Sequence, residues 1–162
     1  MEKKTVYLLL GANVGDRQAQ LSTAAAKIER AVGKITDRSR LYETQAWGME
    51  NQPNFINQAL AVQTAFSPQE VLTKILHIET EMGRVRTEKW AARTIDIDIL
   101  LYENAVVNEP NLTIPHPHLT ERNFALVPLM DVAGEVEHPI LKKTIEDIYF
   151  DCTDKLDVFM VE

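Results

Sequence analysis

The chain holds a single cysteine, Cys152, in 162 residues. One thiol cannot close an internal disulfide, and no Cys/His spacing suggests zinc, so Cys152 reads as a bystander near the C-terminus. Long apolar runs are missing too: nothing approaches the roughly 18 residues that would span a bilayer. The opening "MEKKTVYLLLGAN" places basic residues before an apolar run, but residues 6–10 are too few for a signal-peptide core and turn residues follow at once. Positive charge is scarce. The formal balance of −7 argues against a chain that coats nucleic acid by bulk attraction, while leaving room for a local basic pocket. There is no Gly-x-x-x-x-Gly-Lys-Ser/Thr phosphate loop and no kinase signature set. Gly11-x-x-x-Gly15 lacks the dinucleotide spacing and reads as a tight strand-to-helix turn. Repeats, linkers and low-complexity tracts are absent. With 45% hydrophobic and 25% charged residues the composition is that of a globular protein. A single domain, residues 1–162, in the cytoplasm is the expectation.

Periodicity supplies the elements. Residues 5–10 form an apolar strand. Residues 17–32 carry Leu21, Ala24, Ala25, Ile28 and Val32 at helical spacing, with Gly33 as the C′ stop. A strand of mixed character is expected over 34–43, a long irregular loop over "TQAWGMENQPNF", and a strand over 55–64. Ser67-Pro68-Gln69-Glu70 is a capping box with proline at N1. The helix it opens runs to about Met82 and buries Val71, Leu72, Ile75, Ile78 and Met82, with Glu79 at the edge of that face. A charged loop, a strand from residue 94, an irregular Pro/Asn-rich stretch and two short helices over 124–132 and 143–150 complete the chain. The order β-α-β-β-α-β followed by a tail predicts an α+β, ferredoxin-like βαββαβ fold, its antiparallel sheet packed by helices on one face, with a C-terminal extension. On that expectation the last strand of the core lies mid-sheet.

That last strand, "RTIDIDILLY", poses the chemical question. Alternation sets Ile95, Ile97, Ile99 and Leu101 on one face and Asp96 and Asp98 on the other, about 6.5–7 Å apart. Paired carboxylates can hold divalent cations, or can be the solvated side of a half-covered sheet. The preceding "GRVRTEKWAAR" gathers Arg84, Arg86, Lys89 and Arg93, a local reversal of sign. Guanidinium beside a metal-binding pair suits a polyphosphate; the alternative is a solvated basic loop. In "IPHPHL", stiff backbone around His116 could aim it at a phosphate or leave it in an exposed turn. Phe55 with Asn57 could stack and read a flat heterocycle, or Phe55 could be core.

Four stretches together are similar to one family: "LLLGANVGDR", "YET…G…NQPNFINQAL", "IETEMGRVR…W..RTIDIDILLY" and "LTIPHPHLTERNFALVPL". They resemble 6-hydroxymethyl-7,8-dihydropterin pyrophosphokinase, an enzyme of folate biosynthesis. The resemblance implies transfer of a pyrophosphoryl group from ATP to the pterin hydroxymethyl oxygen, with AMP released. It implies two Mg²⁺ ions on Asp96 and Asp98, and Arg84 and Arg93 acting on the phosphates in catalysis. Arg86 and Trp90 are implied in loop closure, His116 and Arg122 at the phosphates, and Glu79, Thr113 and the backbone near Ile99 on the ATP side. The pterin is implied to stack between Phe55 and Phe124, its edges read by Thr44, Asn57 and the backbone near Trp47. The implied partners are ATP and the pterin alone, with neither nucleic acid nor membrane, for a monomer or weak dimer. Two rival readings remain: a nucleotidyltransferase, which would release pyrophosphate, and a non-catalytic ligand-binding module.

Overall fold

The computed structural model describes residues 2–44, 54–83, 95–154 and 157–161. Strand β1 (Lys4–Ala12) leads into helix α1 (Arg17–Ala31), which starts where the Asp16 carboxylate accepts the Ala19 N–H at 3.1 Å. Its buried stripe is the expected one, Leu21, Ala24, Ala25 and Ile28. Gly33, however, does not stop the helix through a left-handed turn. A Cβ there would fall 1.9 Å from the Gln63 carbonyl oxygen, so glycine is needed for close approach to the next strand. The expected strand over 34–43 is two: β2 (Lys34–Arg38) and β3 (Tyr42–Thr44), both paired with β4 (Phe55–Thr64). Ser39 bridges the break, donating its N–H to the Ala59 carbonyl and accepting the Ala59 N–H at its hydroxyl.

Helix α2 (Pro68–Glu81) opens with the expected capping box. Ser67 Oγ accepts from the Glu70 N–H and Glu70 Oε1 accepts from the Ser67 N–H. Strand β5 (Asp96–Tyr102) follows, then a small hairpin of β6 (Val107–Glu109) and β7 (Leu112–Ile114) where only irregular chain is expected. Helices α3 (Asn123–Ala133) and α4 (Ile145–Asp151) and a short strand β8 (Val158–Met160) complete the described chain. No helix among the described residues is long and apolar enough to cross a membrane.

The main sheet is antiparallel in the order β5-β1-β4-β3-β8, with β2 also on β4. Among the described residues β5 therefore pairs with β1 alone and stands at the edge, not mid-sheet: β1 and β4 are the central strands. Nor are the helices confined to one face. α1 and α2 cover Val6, Leu8, Leu10, Ile56, Leu60 and Val62. α3 and α4 cover Leu9, Leu100 and Leu101 on the other. A register shift in the β1–β5 pairing leaves Leu100 without a direct partner, which turns Leu101 onto the α3/α4 face, away from Ile95, Ile97 and Ile99.

Candidate active site

The register fixes who meets whom. Gly11 lies opposite Asp96 on β5 and opposite Asn57 on β4. Directly paired residues point to the same face, so Asp96, Gly11 and Asn57 form one row on the α3/α4 side. Strand spacing puts the carboxylate and the amide about 10 Å apart with a glycine between them. Gly11 is thus strand rather than turn, and its missing side chain matters: a Cβ would lie 2.6 Å from Asn57 Nδ2. That nitrogen donates to the Leu10 carbonyl at 3.2 Å. The bond fixes the amide's orientation and leaves Oδ1 as the acceptor facing away. Asp98, opposite Leu9, continues the acidic side of the row.

Beyond Asp98 the edge of β5 opens on a cleft of about 320 Å³, lined by Leu72, Asp98, Ile99, Asn111, Thr113 and His116 among others. Because β5 is an edge strand, its outward backbone groups need partners. Leu100 accepts from the His116 N–H at 3.0 Å, and the Ile97 N–H donates to Glu79 Oε2 at 2.9 Å. Glu79 is therefore buried at 3% exposure, not poised at the rim of its helix. His116 Nδ1 accepts from the His118 N–H at 3.2 Å, so the neutral ring carries its proton on Nε2. Burial pushes this imidazole below its ordinary pKa; Asp98 opposes that shift, while Arg122 and His118 reinforce it. Arg122 itself lies over the Phe124 ring, 5.5 Å from its centroid.

Phe55 and Thr44, directly paired, extend the same face toward β3, and Phe124 packs against the core cluster of that face from the start of α3. Helix α3 is tied down at its other end, where Asp131 accepts two bonds from the Arg40 guanidinium and one from Tyr42 Oη at 2.7 Å. Thr44 Oγ1, Asn57 Oδ1 and Asn123 Oδ1 are buried with no hydrogen-bond partner among the described residues. Orphaned buried oxygens of this kind are costly, and each calls for a partner that the described residues do not supply.

Of the residues singled out from sequence, Asp98, Ile99, Thr113 and His116 line one cleft. Asp96, Asn57, Phe55 and Thr44 share the adjoining sheet face, with Arg122 and Phe124 at the helix above. Glu79 meets β5 at the Ile97 N–H and is not among the described residues that line the cleft. Arg84, Arg86, Trp90, Arg93 and Trp47 lie outside the described residues. Leu72 and Asn111 were not anticipated: Leu72 reads as ordinary helix core, and Asn111 as a turn residue. The carboxylate pair offers hard oxygen donors on one face, beside an open cleft. That donor set suits Mg²⁺, which takes one or two protein carboxylates and completes its shell with substrate oxygens and water.

The model of the 7,8-dihydro-6-hydroxymethylpterin-pyrophosphokinase family matches residues 7–134. The chain belongs to this family. It is 46% identical over 143 residues to the 2-amino-4-hydroxy-6-hydroxymethyldihydropteridine pyrophosphokinase of Aquifex aeolicus, covering 88% of this chain and 89% of that protein. Its Bacillus subtilis counterpart is 39% identical, over 81% of this chain and 79% of its own length. Among solved structures, Plasmodium falciparum HPPK-DHPS superposes with a TM-score of 0.77 at 20% identity. It covers 93% of this chain, which spans 45% of the Plasmodium chain. At that identity the likeness speaks for the pyrophosphokinase fold alone.

Proposed function

We propose that this chain transfers pyrophosphate from ATP to 6-hydroxymethyl-7,8-dihydropterin, in folate biosynthesis. The pterin's alcohol oxygen attacks the β-phosphorus, the bond from that phosphorus to the α-phosphate oxygen breaks, and AMP leaves as the pterin diphosphate forms. The alcohol proton passes to solvent. One observation carries the reading: the row Asp96–Gly11–Asn57, which sets a metal-competent carboxylate beside a heterocycle-reading amide on one sheet face.

Asp96 and Asp98 would hold two Mg²⁺ ions, whose charge would offset that on the phosphate oxygens during an in-line displacement. Thr113, His116 and the backbone at Ile99 serve the nucleotide from the cleft, with His116 donating from Nε2 to a phosphate oxygen. Arg122 adds a permanent cation, and Glu79 supports the site by holding the edge of β5. Arg84 and Arg93 act on the phosphates, and Arg86 and Trp90 close over them. Phe55 and Phe124 sandwich the pterin, while Thr44, Asn57 and the backbone near Trp47 read its edge. The free acceptor on Asn57 suits a ring edge rich in N–H donors. Catalysis is then positioning and charge compensation, with no strong side-chain base. The core strand order, with the last strand at the edge beside the first and not mid-sheet, supports a ferredoxin-like βαββαβ unit. We read the whole chain as one cytoplasmic domain, a monomer or weak dimer that takes neither nucleic acid nor membrane. The test is product analysis with ATP, Mg²⁺ and hydroxymethyldihydropterin. AMP and pterin diphosphate in equal amounts are expected; release of pyrophosphate would assign a nucleotidyltransferase instead.

A further inference from the structure

The C-terminal segment takes no part in that scheme, yet it meets the site twice. Asp154 Oδ2 accepts the Asn123 backbone N–H at 2.9 Å, and the Asp154 carbonyl accepts from Asn123 Nδ2 at 3.0 Å. A few residues on, β8 lies along β3 and pairs Val158 with Thr44. The tail thus joins the start of α3 to the strand that carries Thr44.

The first contact replaces a missing cap. Arg122 occupies the N-cap of α3 and its side chain makes no capping bond. Asp154 supplies both the acceptor and the negative charge that a helix N-terminus favours. The residues on either side of Asn123 are Arg122 and Phe124, so the tail steadies the helix end that presents them.

The other Asp154 bond, from Asn123 Nδ2 to its carbonyl, orients an amide. Asn123 Nδ2 is committed to a carbonyl, which can only accept, so Oδ1 is the acceptor at the other end of the group. That oxygen is buried and without a partner among the described residues, in company with Thr44 Oγ1 and Asn57 Oδ1. Asn123 sits one helical turn before Leu126, which is fully buried against this face of the sheet. Its side chain therefore leaves the helix on the side that faces the sheet.

We propose that Asn123 is a further specificity-determining residue, its Oδ1 accepting a hydrogen bond from a ring-edge N–H of the heterocyclic substrate, and that Asp154 is the positioning residue that aims it. The proposal rests on the pyrophosphokinase reading above. Two amide acceptors and a hydroxyl select an edge bearing amino and ring N–H groups over one bearing carbonyl oxygens, because the wrong edge leaves buried acceptors unpaired.

The test is equilibrium binding to the full chain. Hydroxymethyldihydropterin is titrated in the presence of Mg²⁺ and a non-hydrolysable ATP analogue, and the analogue is titrated separately. Asn123→Ala is expected to weaken pterin binding about tenfold, the worth of one net hydrogen bond, and to leave nucleotide affinity within about twofold. Asp154→Ala, which keeps the asparagine, is expected to show the same selectivity with a smaller loss, and serves if Asn123→Ala does not fold. Pterin binding at the wild-type level in the variant, or an equal loss for both ligands, overturns the proposal. Should the wild type bind nucleotide but no pterin, the functional reading falls and this inference with it. Wild-type binding of both ligands with an unchanged variant overturns the role of Asn123 alone.

Discussion

The two faces of the sheet divide the labour. Under α1 and α2 the face is mostly hydrocarbon, and Glu79, its buried acid among the described residues, accepts a backbone N–H. Under α3 and α4 the far end is equally apolar, around Leu9, Leu100 and Leu101. Near Gly11, though, that face carries two carboxylates, an amide and a hydroxyl, with buried oxygens left unmatched among the described residues. β5 belongs to both worlds, since Ile97 and Ile99 point one way and Asp96 and Asp98 the other. The lesson is that a well-packed face supplies the stability that lets its opposite tolerate like charges and orphaned acceptors.

If that division holds, substitutions on the two faces should separate cleanly. The largest effect belongs to Asp98→Ala: turnover should fall on the order of 10³-fold, about 4 kcal/mol of transition-state stabilisation, with a far smaller change in stability read from the melting temperature. Steady-state kinetics beside calorimetric melting reads both quantities. On the packed face the converse is expected. Ile75→Ala, at a fully buried position, should cost about 2–5 kcal/mol in denaturant unfolding while folded enzyme keeps its turnover. A loss of activity without a loss of stability there would break the comparison.

Gly11→Ala sharpens it at the boundary. The added methyl lands 2.6 Å from Asn57 Nδ2, so the amide must shift and its acceptor with it. We expect the KM for the pterin to rise about tenfold, roughly one hydrogen bond, with the KM for ATP little changed.

The smallest effect concerns the anchor of α3. Burial pushes the Asp131 carboxyl up, but hydrogen bonds from Arg40 and Tyr42 outweigh it and hold its pKa below the ordinary value. A carboxylate depressed in the folded state contributes stability above its unfolded pKa of about 3.9, and that contribution drains away as pH falls through the folded value. Urea midpoints of wild type should therefore drop in the acid range more steeply than those of Asp131→Asn. Parallel curves would contradict the anchor.

What sequence revealed and concealed follows from how local each cause is. The capping box of α2, the stripe of α1 and the alternation of β5 are written in neighbouring residues. So is the pairing of Phe55 with Asn57 on one strand face. Strand order is not: the same βαββαβ string is compatible with an aspartate strand in the middle or at the edge, and only the pairing with β1 decides. The turn of Leu101 to the other face comes from a register shift, which alternation cannot announce. The α3 and α4 stripes declare an apolar side but not which sheet face it will cover. The β6–β7 hairpin hides in a stretch whose Pro and Asn content looks irregular. Asn123 is legible only through Asp154, a partner 31 residues away.

The central claim is that Asp96 and Asp98 share a face because a metal-bound triphosphate belongs between them and the cleft. Calorimetric titration of a non-hydrolysable ATP analogue into the wild type, in Mg²⁺ and then in EDTA, addresses it most directly. The account predicts that affinity falls at least about 100-fold in chelator, close to 3 kcal/mol, and that Asp98→Asn loses most of this metal dependence. Equal affinity with and without Mg²⁺ in the wild type would contradict it.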